Sequence, residues 1–490
     1  MMVDMRKAGR LGKLDAVAPV LVTLACIYVL YWLGVGGWHS FPNAEDLTLT
    51  SPVRSDGFIN SVVRLLLSYD GRYFTNMLHG INPLATGWYL GYGLIHAAGI
   101  ALGIGSLCFL LFSLAPAAVW GWRGPLLAAL FYAVHFAVTP SLPHDLYWMV
   151  SSFVYMWPWT LLFLFAGSVV RYLRAPEGWG RNGWFAASLL SLVCGMGMNE
   201  MFLVLYGLLL PALGLWALRS GRAVLVSVLP LLAVGLASAL FFVSCPGIAY
   251  RLGSQEVQHG MGHFREVAAV SASEFSGFLL SVFTGNAVLI PWAVVTSLLT
   301  PRVTAAVPVR MGVLAAVMLG VLTVLYLMTL AYYLPMGTAF FPERVYASVL
   351  YGLQLLLWAT GAMAIHRLRV PAGVAVAASV ILLVAIVGGP GNIRDLRAEF
   401  HDGTLGRFRK AMLAHYAILS QPDRDPVWSL AVIDPLPPLP RTIATGPFIS
   451  HNRIPKHWNK GYERYFRWDE VRLGTDSVTK LQYAKGDGKQ

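Results

Sequence analysis

Asn43-Ala44-Glu45-Asp46 puts two adjacent carboxylates just after the first apolar stretch of the chain. Such a pair can serve as a general base or hold a divalent cation, and it can equally do no more than cap a helix. Asp70-Gly71-Arg72 follows a segment, Ser55–Leu78, whose Phe58, Val62, Leu65 and Leu66 recur at helical spacing. That segment reads as an amphipathic helix in the interface plane. There the planar guanidinium of Arg72 is suited to clamp a phosphate, or simply to snorkel toward lipid headgroups. Pro143-His144-Asp145-Leu146-Tyr147-Trp148 leads into Tyr155-Met156-Trp157-Pro158-Trp159. His144 and Asp145 are further candidate ligands for a metal held by the first loop, or a solvated pair. Trp148, Trp157 and Trp159 suit an interfacial aromatic belt, and aromatic rings also suit the faces of sugars.

Asn199-Glu200 lies between two apolar runs, where an ionisable group is costly and a functional candidate, or else reaches the headgroups. Arg251 follows Pro246-Gly247, Arg344 sits in Pro342-Glu343-Arg344, and Arg394 follows Pro390-Gly391-Asn392-Ile393. Binding of a lipid phosphate would account for these arginines, and so would ion pairs to Glu343, Glu45 or Asp46.

The elements that must position these residues are membrane helices. Of the 490 residues 57% are hydrophobic and 12% charged, against roughly 25% charged in soluble domains; mean hydropathy is +0.61. A helix needs about 20 apolar residues to cross a bilayer. Runs of that kind place about eleven spans, at about 15–36, 88–116, 124–140, 152–170, 184–198, 201–217, 223–244, 284–300, 311–334, 346–365 and 371–389. The fifth and sixth are short and could instead form a re-entrant hairpin. The first reads as an uncleaved signal anchor.

The net charge of +12 is spread as short Lys/Arg clusters between apolar runs, a positive-inside pattern rather than a nucleic-acid-binding one. Arg6, Lys7, Arg10 and Lys13; Arg123; Arg171, Arg174 and Arg181; Arg219 and Arg222; Arg302 and Arg310; Arg367 and Arg369 fall in alternate loops. The N-terminus is then cytoplasmic and the C-terminus extracytoplasmic. The outer loops, about 37–87, 140–151 and 245–283, are long and hold most of the acids and histidines, so chemistry is expected outside. The fold class expected is an all-α polytopic module, 1–390, with a small extracytoplasmic α/β tail, 391–490. The four cysteines show no C-x-x-C spacing, which argues against a zinc site or disulfide framework. There is no G-x-x-x-x-G-K-[ST] loop.

In order along the chain, these motifs resemble the GT-C superfamily of integral-membrane glycosyltransferases, and more closely a bacterial subgroup of it. They are Glu45-Asp46, Gly71-Arg72, Tyr147-Trp148, Tyr155-Met156-Trp157-Pro158, Asn199-Glu200, Pro246-Gly247 with Arg251, Pro342-Glu343-Arg344, and Trp458-Asn459-Lys460-Gly461-Tyr462 in the tail. Relatives carry aspartate at the position of Glu45 and asparagine at that of Ile248. The resemblance implies an enzyme of the bacterial cytoplasmic membrane that takes a sugar from a polyprenyl-phosphate donor at the outer face. It would pass the sugar to a glycan, lipid or protein acceptor. It makes Asp46 the base or metal-orienting group, with Glu45 assisting. Glu45, Asp46 and Asp145 would hold a divalent metal such as Mg or Mn. Arg72, Arg251 and Arg344 would grip the lipid phosphate. His144, Asp145, Tyr155, Trp157, Glu200 and Glu343 would serve the acceptor side. A flippase for a lipid-linked sugar, and a polysaccharide ligase or polymerase, are the rival readings.

Overall fold

The computed structural model describes residues 2–249, 261–286, 288–301, 311–336, 343–365, 371–421, 430–444 and 456–473. The chain is mostly helical. Its first part comprises α1 (Met2–His39), α2 (Ala44–Asp56), α3 (Phe58–Ser68), α4 (Tyr73–Ile81), α5 (Tyr92–Leu114), α6 (Ala117–Trp120), α7 (Arg123–Val138), α8 (Met149–Tyr155), α9 (Trp157–Arg174) and α10 (Trp179–Met196). It continues with α11 (Glu200–Ser220), α12 (Arg222–Ser244), α13 (Met261–Gly285), α14 (Leu289–Leu299), α15 (Met311–Met336), α16 (Glu343–Ile365) and α17 (Ala372–Gly388). The tail holds α18 (Asn392–His401), α19 (Thr404–Leu419), β1 (Leu430–Ile433), α20 (Lys456–Phe466) and β2 (Glu470–Leu473).

Among the described residues eight helices are long and apolar enough to cross a membrane, or nine if the bent pair Gly373–Gly388 and Asn392–His401 counts as one span. This makes the protein a multi-pass membrane protein. Spans read from the sequence at 124–140 and 284–300 correspond to the shorter apolar helices Arg123–Val138 and Leu289–Leu299. At 1.5 Å per residue α14 is only about 16 Å long, half the hydrocarbon thickness. It is packed inside the bundle against α16 and α17, with Trp292 fully buried.

The segment 245–283, read as a polar loop, instead contains a span candidate, Phe264–Gly285. Glu266, Glu274, Ser271 and Ser276 dilute its hydropathy. Helical geometry still leaves Val267, Phe275, Phe278 and Val282 buried together along one face. The pair α10 and α11 forms two separate helices. Asn199 ends the break between them, its side-chain oxygen accepting the Phe202 N–H at 2.9 Å.

The stretch 55–78 is broken by Gly57 and by Asp70–Arg72 into the end of α2, then α3 and α4. On α3, Leu65 turns inward while Ile59, Val63 and Leu67 form an exposed apolar stripe. That stripe suits an interfacial helix. Trp148 and Trp159 are buried inside the bundle rather than lying in an aromatic belt; among the described residues Trp38, Trp88, Trp122, Trp179 and Trp216 are the exposed ones.

The tail folds back on the bundle. β1 and β2 pair in parallel, Leu430 opposite Glu470 and Ile433 opposite Leu473, with α20 inside the crossover that parallel strands require. α20 lies on α2 at Gly461, where a Cβ would collide with the Ala44 carbonyl and Thr48 Oγ1. Arg54 of α2 fastens the contact, donating to the Tyr465 carbonyl at 2.9 Å with its guanidinium over the Tyr465 ring. The helix that carries the two carboxylates is therefore clamped between bundle and tail.

Candidate functional site

Asn43 and Asp46 form a capping box at the start of α2. The Asn43 side chain accepts from the N–H groups of Glu45 and Asp46, and the Asp46 carboxylate accepts from the N–H of Asn43. Asp46 also accepts from Tyr92 Oη at 2.6 Å and from the Val150 N–H at 3.0 Å. It is fully buried. Burial pushes its carboxyl up to about 7, opposed by the Tyr92, Val150 and Asn43 donors. Consecutive helical residues are about 100° apart, so Glu45 points elsewhere. It is partly exposed and lines a cleft that Asp46 does not reach.

That cleft is walled by α2, α4, α8, α15 and α16, with the Tyr69–Arg72 turn closing one side. Its volume is about 60 Å³. At about 10–15 Å³ per water-sized group, that is room for a phosphate-sized headgroup and not for a whole sugar. Arg72 stands on one side, donating from Nε at 3.2 Å and from Nη2 at 2.8 Å to a single Glu200 oxygen. Asp70 is 3.8 Å from the same guanidinium and accepts from the Arg72 N–H and Asn76 Nδ2. Burial raises the Asp70 carboxyl, partly offset by the Arg72 charge.

The Asp70–Arg72 turn is held by the Pro246-Gly247 segment. A Cβ on Gly247 would meet the Leu66 carbonyl and the Asp70 backbone, and one on Gly71 would meet the Phe242 carbonyl. Two motifs far apart in the chain thus interlock only because neither Gly71 nor Gly247 has a side chain there.

Arg344, one residue into α16, is on the opposite wall with Tyr155 and Tyr332. Tyr332 hydrogen-bonds to it, and Glu45 is near enough to attract it. Its guanidinium lies 5.0 Å over the Trp148 ring. Two carboxylates, Glu45 and the buried Asp70, and two arginines therefore share the cleft.

His144 and Asp145 part company. A single wide π turn over Pro143–Tyr147 turns them in different directions. His144 contacts Ser141 Oγ at 2.7 Å and Glu343 at 3.6 Å, near the mouth. Asp145 is fully buried, 2.7 Å from His135 Nε2, while His135 Nδ1 is 2.8 Å from Gln354 Oε1 and the ring stacks on Tyr351. Asp145 is thus committed to the core between α7 and α16. The expected metal set Glu45, Asp46 and Asp145 is not assembled: among the described residues no group of three or more His, Cys, Asp or Glu could hold a metal ion. Trp157 packs on Gly99 of α5 and Phe153 of α8, outside the cleft lining. Arg394 is exposed and pairs with its neighbour Asp395. Arg251 lies outside the described residues.

The cleft also contains His79, Asn76 and Tyr332, which sequence reasoning passed over. His79 Nδ1 is buried without a hydrogen-bond partner among the described residues. Burial, and then the Arg72 charge, lowers the imidazole to about 3, so the ring is neutral. The signal for two of them was there: Arg72, Thr75, Asn76 and His79 make a polar stripe at helical spacing along an otherwise apolar α4. Tyr332, inside the apolar α15, gave none.

Fold and site together define a multi-pass membrane protein with a small, charged cleft at one end of its bundle. The chain matches no family model, no curated protein and no solved structure.

Proposed function

We propose that the protein is a membrane glycosyltransferase of the GT-C kind, moving a sugar from a polyprenyl-phosphate carrier to an acceptor hydroxyl at the outer face of the cytoplasmic membrane. The observation that carries this reading is Glu45, Arg72 and Arg344 facing one phosphate-sized cleft beside apolar helices. The acceptor oxygen forms a bond to the anomeric carbon as the bond from that carbon to the phosphate oxygen breaks. The acceptor proton goes to the Glu45 carboxylate. The lipid phosphate leaves with the bonding pair, and Arg344 and Arg72 stabilise the charge that grows on it. The sugar and acceptor would stand outside the cleft, next to Tyr69, His144 and Glu343. In this reading the base is Glu45, and Asp46 holds the start of α2 in place.

The test is the surface glycan and glycoprotein profile, by mass spectrometry, of deletion cells carrying wild type, Glu45→Gln or Arg344→Gln at equal expression. Loss of one defined sugar in the deletion and in both variants supports transfer. A second reading, a polysaccharide ligase using a lipid-diphosphate donor, draws on the neutral His79 beside the two cleft arginines. Full activity of Glu45→Gln with loss in Arg344→Gln would favour it.

A further inference from the structure

A second cavity of about 190 Å³ opens between the end of α1, the start of α5 and α19. It shares no residue with the charged cleft. Its mouth is framed by Trp38, Leu90 and Leu94, all more than half exposed on faces of helices that are apolar enough to span. It therefore opens sideways toward lipid. Leu33, Leu94 and Ile100 supply an apolar wall, and Arg409 stands at the rim. The Arg409 guanidinium lies 4.3 Å over the Trp38 ring, and Nη1 donates to the Trp38 carbonyl. No carboxylate pairs with it among the described residues.

His96 lines the same cavity and is 2% exposed. Apart from an interaction with the Leu146 backbone, neither ring nitrogen has a hydrogen-bond partner among the described residues. Its ring neighbours cannot help: Tyr147 Oη donates to the Leu33 carbonyl, and Tyr92 Oη is engaged with Asp46. A buried polar group is normally satisfied, and the cavity is the open side from which a partner can come.

We propose that this cavity binds one anionic phospholipid of the surrounding bilayer. The order of chemistry along it matches such a molecule: a cation at the rim for the phosphodiester, a bare imidazole nitrogen to accept from a headgroup hydroxyl, and an apolar wall for the upper part of one acyl chain. The lipid would wedge α1 against α5 beside the tail. The site is independent of the transferase reading.

The experiment is native mass spectrometry of the full chain in mild detergent, with add-back of phosphatidylglycerol, phosphatidylethanolamine or inorganic phosphate. Gly34→Leu fills the cavity from α1, since no atom lies within 4 Å of a Cβ there. Ala97→Phe fills it from α5, so that one variant remains if the other fails to fold. Arg409→Gln removes the rim charge. The result expected is one retained phosphatidylglycerol on wild type, binding weakened about tenfold or more in the filled variants, and a preference over phosphatidylethanolamine that shrinks severalfold in Arg409→Gln. Equal lipid retention by a filled variant that melts like wild type would overturn the proposal. So would full displacement by inorganic phosphate alone, or retention of a polyprenyl phosphate in place of the phospholipid.

Discussion

Arg72 donates from both Nε and Nη2 to one oxygen of Glu200, 128 residues further along the chain. The pair ties the turn before α4 to the first residue of α11, whose N-terminal dipole also favours the carboxylate. Only a guanidinium can make both bonds from one side chain. Arg72→Lys is expected to weaken the pair, and a double-mutant cycle with Glu200→Gln should give a coupling of about 1–3 kcal/mol, read from unfolding in detergent. Additive effects would show that the two do not act together.

Glu45 and Asp46 should separate by assay. Glu45→Gln is expected to leave thermal stability within about 0.5 kcal/mol of wild type while abolishing sugar transfer. Asp46→Asn should do the reverse in kind, with stability lost first, because an amide nitrogen cannot accept the donors that converge on this carboxylate. The loss is expected at about 1–3 kcal/mol. Transfer abolished by Asp46→Asn in a protein that melts like wild type would return the chemistry to Asp46.

The same carboxyl sets a pH dependence. Folded Asp46 is raised to about 7 from an ordinary 3.8. Between those values the folded state holds a proton that the unfolded state has released. Its contribution to stability is therefore greatest near pH 4 and falls as pH rises to about 7. His79, lowered to about 3, works oppositely: its contribution is lost as pH falls below about 6.5. The difference between wild type and Asp46→Asn isolates the first effect. Melting curves at pH 5 and 8 should show wild type losing more on the alkaline side than the variant.

Asp145 is expected to act on stability and not on a metal. Asp145→Ala strips the Nε2 partner from a fully buried His135 and should cost about 2–4 kcal/mol. His144→Ala, at the mouth, should cost little. Similar melting points for the two variants would contradict the burial argument.

Gly461→Leu should lift α20 from α2, since no side chain fits against Ala44 and Thr48. Limited proteolysis should then cut the tail faster than in wild type. Under the proposed function, transfer falls with it, because the clamp on the Glu45 helix is loosened.

The amino-acid sequence by itself determined the membrane character, since a chain so poor in charge and so rich in long apolar runs has nowhere else to bury them. It also marked Arg72, Glu200, Arg344 and the Glu45-Asp46 pair as residues out of keeping with their apolar surroundings. Tertiary structure alone decided which of two neighbouring carboxylates meets the cleft, because helical rotation gives adjacent residues different faces and burial depends on what packs there. It alone sent His144 outward and Asp145 inward, through one wide turn. It brought Gly71 against the Phe242 carbonyl, Gly247 against the Asp70 backbone and Gly461 against α2, contacts that depend on missing side chains and leave no periodicity to read. And it turned 264–285 into an apolar helix, because the buried face of a helix tolerates Glu266, Glu274 and Ser276 on the other side, where an average over the sequence does not.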